Sequence, residues 1–86
     1  MEEKLKLNDG TELNGRALES DGTLFLYIFG KTMKEVFELL SVVKNVKVIT
    51  ATKYGEDTVY KNYSHLKAIS EESGDMISAV MKKAVR

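Results

Sequence analysis

TLFLYIFGKTMKEVFELL, Thr23 to Leu40, decides the fold, because the spacing of its apolar residues changes at Gly30. Before Gly30 the chain is apolar throughout. In an extended strand Leu24, Leu26 and Ile28 take one face and Phe25, Tyr27 and Phe29 the other, which predicts a central strand covered on both sides. After Gly30, Met33, Val36, Phe37, Leu40 and Val43 follow the i, i+3, i+4, i+7 rule. They predict the buried face of an amphipathic helix over about residues 32–43, with Lys34, Glu38 and Ser41 outside. Thr32 and Glu35 have the spacing of a capping box, in which the Thr hydroxyl takes the amide of Glu35 and the Glu carboxylate returns to the amide of Thr32. A strand that turns directly into one helix points to an α+β domain.

Gly30-Lys31-Thr32 also matches the last three positions of a phosphate-binding P-loop, which needs a first glycine five residues earlier so that the backbone can wrap the phosphates. Position 25 is Phe, inside the strand. The triplet is therefore read as a strand-to-helix turn, with Gly30 as pivot, Thr32 as N-cap and Lys31 solvated.

Working upstream, Leu5 and Leu7 alternate with Lys4 and Lys6 and lead into Asn8-Asp9-Gly10, a hairpin turn. Thr11 to Glu19 is the return strand, with Leu13, Ala17 and Leu18 apolar and Gly15 marking a bulge or a bend. Ser20-Asp21-Gly22 makes the next turn. Downstream, VKVITATKY (Val46 to Tyr54) is rich in β-branched residues and stops at Gly55-Glu56-Asp57, with Thr58 to Tyr63 as its hairpin partner. The tail has two readings. Met76, Ile77, Val80, Met81, Ala84 and Val85 stand at helical spacing, yet DMISAVMKK also fits a strand paired with LKAIS across Glu71 to Gly74.

The 86 residues leave room for one core, so a single domain over residues 1–86 is expected, and small size raises the value of association with another subunit. Thirteen basic and thirteen acidic residues cancel, which removes any global pull toward a polyanion. The charge is unevenly spread. Residues 1–43 carry five Lys or Arg against eight Asp or Glu, and residues 44–86 carry eight against five, giving −3 and +3. The absence of cysteine excludes disulfides, thiolate catalysis and Cys-based zinc sites. MEEKLKL lacks the apolar run of a secretory signal, and no window reaches a membrane span.

Candidate chemistry is sparse. His65 is the only histidine and has no nucleophile to serve; Asp9, Asp21, Asp57 and Asp75 sit in turns, where Asp is favoured for backbone reasons. No segment has the ligand order of a calcium loop. No catalytic residue, cofactor, metal or small-molecule substrate is expected. Tyr54, Tyr60 and Tyr63 interleave with Lys53, Lys61 and Lys67, and this set is the candidate interaction surface. Its residues are too few, and the chain too neutral, to favour nucleic acid over protein as the partner.

Taken together, LKLNDGTEL, the aromatic strand, KTMKEVFELLS, NVKVITATKYGEDTVYKNYSHLKAIS and MISAVMKK resemble the small proteins encoded among the virion structural genes of phages and prophages of Gram-positive bacteria. The resemblance implies three strands, a helix and further strands, with the tail a strand paired back through Leu66 to Ser70; a helix is the alternative from periodicity. It also implies a non-enzymatic minor virion or assembly protein, located in the bacterial host cytoplasm or the virion. Its partners would be other phage structural or assembly proteins, or further copies of itself. The alternative function is a small regulatory or inhibitory phage protein that binds a host protein or nucleic acid through the Lys- and Tyr-bearing second half.

Overall fold

Alternation of apolar and polar residues builds most of the molecule. The computed structural model describes residues 3–42, 48–63 and 65–83. Three strands come first, β1 (Glu3–Leu7), β2 (Glu12–Ser20) and β3 (Thr23–Phe29), followed by the helix α1 (Met33–Val42). Four more strands follow, β4 (Val48–Lys53), β5 (Glu56–Lys61), β6 (His65–Glu71) and β7 (Met76–Lys82). The tail is thus a strand. Val43, Val46, Lys47, Ala84, Val85 and the side chain of Ser41 lie outside the described residues.

All seven strands join one antiparallel sheet in the order β5-β4-β1-β2-β3-β7-β6. The hairpins β1-β2, β2-β3, β4-β5 and β6-β7 are local. Two pairings are not: β1 takes β4 from beyond the helix, Leu5 opposite Ala51, and β3 takes β7, Leu26 opposite Ala79. β3 is interior, as its apolar run predicts, and the pairing of β7 with Leu66 to Ser70 is present, with a bulge between Leu66 and Ala68.

One face of this sheet forms the core. Leu5, Leu7, Leu13, Leu24, Leu26, Ile28, Ile49, Ile77, Ala79 and Met81 are all buried on it, and α1 seats Val36 and Leu40 against them. The capping box is formed: Glu35 N donates to Thr32 Oγ1 at 3.1 Å and Thr32 N to Glu35 Oε1 at 2.9 Å. The Thr32 amide holds the Glu35 carboxyl below the usual carboxylate range. Gly30 has a φ of +76°, which supplies the turn into α1.

Two expectations are corrected. Met33 and Phe37 are 42% and 51% exposed, so only Val36 and Leu40, with Leu39 partly buried, form the helix's inner stripe. The second face of β3 is not covered either: Phe25 and Tyr27 are half-buried and Phe29 is 43% exposed.

Gly15 marks no bulge, because the β2-β3 register runs through it unbroken, Gly15 opposite Ile28. A Cβ there would lie 2.3 Å from the Tyr27 carbonyl oxygen and 3.1 Å from Leu5 Cδ1. The sheet closes so tightly at this point that any side chain must push two strands apart. Gly15→Ala should therefore lower stability by about 2 kcal/mol or more, through overpacking against backbone. Thr32→Ala, which removes a cap hydroxyl, should cost only about 1 kcal/mol. Urea denaturation of the two variants checks both the values and their order.

Candidate functional site

Because side chains alternate along a strand, the outer face follows directly from the register. Across β2, β3 and β7, Leu18 stands beside Phe25 and Val80, Arg16 beside Tyr27 and Ser78, and Asn14 beside Phe29 and Met76. β6 adds Ala68 next to Val80 and Ser70 next to Ser78. Leu18 is 52% exposed, while Phe25, Tyr27, Met76 and Val80 are half-buried. Arg16, Leu18, Tyr27, Phe29 and Met76 line an open depression of about 320 Å³. This half of the outer surface is aromatic and aliphatic.

The other half is polar. Register places Lys4, Lys6, Thr50, Thr52, Asp57 and Lys61 on the outer face of β1, β4 and β5, with Val48 and Val59 the large apolar side chains among them. Thr52 Oγ1 donates to Asp57 Oδ1 at 2.6 Å. Between the halves, Arg16 makes a two-pronged ion pair with Glu3, Nε to Oε1 and Nη2 to Oε2, both at 2.9 Å. Its guanidinium holds the Glu3 carboxyl below the usual range and is itself raised by the pair. Both groups remain reachable by water, so the pair fixes the orientation of Arg16 more than it stabilises the fold.

The ends of the apolar face carry opposite charges. At one end His65, Lys67, Lys82 and Lys83 surround Gly22 of the β2-β3 turn, lining a depression of about 610 Å³ with no carboxylate among the described residues of its wall. Lys67 falls at the β6 bulge, and bulges re-aim side chains. Lys82 Nζ donates to Thr23 Oγ1 at 2.6 Å, and Lys83 Nζ stands 5.5 Å from the Tyr63 ring centre. At the other end Ser70 Oγ and Ser78 Oγ both donate to Glu72 Oε2, at 3.0 and 3.1 Å, and Asp75 precedes Met76.

No family model, curated protein or solved structure matches this chain. What the face can do is thus argued from its own residues. It holds no group of three or more metal-ligating side chains among the described residues, and no described helix is long and apolar enough to cross a membrane.

The six residues expected as an interaction surface are divided among four places. Lys53 and Tyr54 lie at the β4-β5 turn, where Tyr54 is 63% exposed with Lys53 Nζ 5.4 Å from its ring centre. Tyr54 has a φ of +53°, a conformation that a bulky residue rarely takes. Tyr60 and Lys61 end β5 at the far side of that hairpin, and Lys67 belongs to the basic depression. Tyr63 is a core residue at 1% exposure, in edge contact with Tyr60 at 6.4 Å, and it cannot present its ring to a partner. The sequence pattern hides the outer apolar face, because Phe25, Tyr27 and Phe29 have the spacing of a strand covered on both sides. A single short helix can cover only one face of a sheet, and that count was the available signal.

Tyr63 donates its hydroxyl to Glu19. That hydrogen bond, followed by burial, pushes the phenol up to about 12 from an ordinary value near 10. A raised folded-state pKa favours the fold below the unfolded value, and the contribution is lost as pH rises from about 10 through about 12. Tyr63→Phe should cost about 1 kcal/mol at neutral pH. The gap between wild type and variant should narrow across that alkaline window, as followed by urea midpoints.

Proposed function

We propose that the chain is a non-enzymatic protein-protein interaction module, a minor virion or assembly protein of a phage or prophage, that docks through the outer face of β2, β3, β7 and β6. The observation that carries the reading is this face, on which Leu18, Phe25, Tyr27, Phe29, Met76 and Val80 gather while the neighbouring outer face stays polar. A contiguous exposed apolar patch costs a small protein solubility, and such patches mark contact surfaces. Aromatic side chains with a polar rim are the usual composition of an interface centre. The sequence motifs that resemble virion-region proteins supply the phage context.

A second reading rests on the basic depression. Lys67 and Lys82, with His65 and Lys83 around them, give the regulatory alternative a place to take nucleic acid. A chain of zero net charge offers little further electrostatic support for it.

The test is a comparison of immobilised wild type with Leu18→Asp/Phe29→Asp in lysates of phage-producing cells, the captured proteins being identified by mass spectrometry. Both positions are partly exposed, so the variant should keep its fold. Wild type is expected to capture virion or assembly proteins and the variant to lose them. Failure of wild type to capture any such protein overturns the virion reading. DNA retention at about 100 mM salt that Lys67→Ala/Lys82→Ala abolishes would put the second reading in its place.

A further inference from the structure

We propose that the outer face of β2, β3, β7 and β6 docks a second copy of this chain, with the two sheets face to face and their strands antiparallel. The inference rests on the reading of that face as a docking surface, and names its occupant.

The charge layout selects both the occupant and its orientation. Two sheets packed face to face and related by a two-fold must have the axis lying between them. An axis along the strands would set the basic end of one copy over the basic end of the other, so that like charges meet. An axis across the strands reverses their direction, and the basic end of one copy then lies over the acidic end of the other. Placed at the row Tyr27, Ser78 and Ser70, this axis sets Phe25 over the second copy's Phe29 and Val80 over its Met76. It brings the end with Lys67 and Lys82 over the end with Glu72 and Asp75, twice per dimer. Apolar side chains of β3 and β7 meet in the centre and opposite charges meet at both rims, while at the β2 edge Arg16, already paired with Glu3, faces its own copy.

The size of the face sets the strength. Four strands about 4.8 Å apart and seven residues at about 3.3 Å each give a planar footprint of roughly 450 Å². Side-chain relief raises the accessible area, yet it stays toward the low end of the ~800 Å² per partner of a standard interface. A reversible dimer with dissociation in the micromolar range is expected.

Sedimentation equilibrium across protein concentration reads this directly. Wild type should pass from the monomer mass of 9.7 kDa to twice that value. Lys67→Glu/Lys82→Glu and Glu72→Lys/Asp75→Lys, each checked for a native circular dichroism spectrum, should each weaken the dimer by roughly tenfold or more, since like charges then meet at both rims. Mixing the two variants should restore a heterodimer, because each then offers the charge that the other lacks. Wild type that stays monomeric, or a mixture no tighter than either variant alone, overturns the proposal. A monomer that still captures a virion protein through Leu18 and Phe29 overturns the dimer alone and leaves the docking function standing.

Discussion

The pairing of β3 with β7 is the constraint on which the rest of the molecule depends. It joins Thr23 to Lys82, 59 residues apart, and the closure must be made before any of its hydrogen bonds can form. Once β7 lies beside β3, β6 follows as its hairpin partner. Ile77, Ala79 and Met81 then complete the inner wall that buries Val36 and Leu40. The same pairing builds the outer face, since Val80 and Met76 reach Phe25 and Phe29 only through it. Core and candidate contact surface are thus two sides of one set of backbone bonds.

Packing on the inner side explains why the molecule needs a single short helix. At Gly15 the approach of the Tyr27 carbonyl leaves no space for a side chain, and α1 is the one described helix that packs on the core. A helix seated there can bury one ridge, and Val36 and Leu40 are that ridge. Met33 and Phe37 stay outside for want of a second wall. The capping box from Thr32 to Glu35 fixes where the helix starts, and the positive φ of Gly30 supplies the turn into it.

Short-range features were legible in the sequence because their causes are short-range. The turns at Asn8-Asp9-Gly10 and Asp21-Gly22, the capping box and the alternation of TLFLYIF each follow from a few neighbouring residues. The pairings of β1 with β4 and β3 with β7 were not legible, because no periodicity encodes which distant strand lies alongside. The site was read only in part. Tyrosines and lysines of the second half were grouped by composition, whereas the fold buries Tyr63, isolates Tyr54 on a turn and gathers Lys67 with Lys82, which no spacing rule connects.

The two readings of the tail and the misjudged outer face of β3 share one physical origin. Met76 and Val80 beside Ile77 and Met81 imitate a helix because both faces of β7 are apolar, and Phe25, Tyr27 and Phe29 imitate a buried strand for the same reason. A strand with one face in solvent should alternate with polar residues, and these two do not. Apolar side chains kept on an outer face contribute nothing to the core, and they lower solubility unless something covers them. The local pattern was ambiguous at β7 and misleading at the outer face of β3, on the same side of the sheet, and disagreement between local pattern and fold concentrates where a sequence serves a contact outside its own core. The places where the sequence misled are therefore themselves support for reading that face as a surface made to be covered.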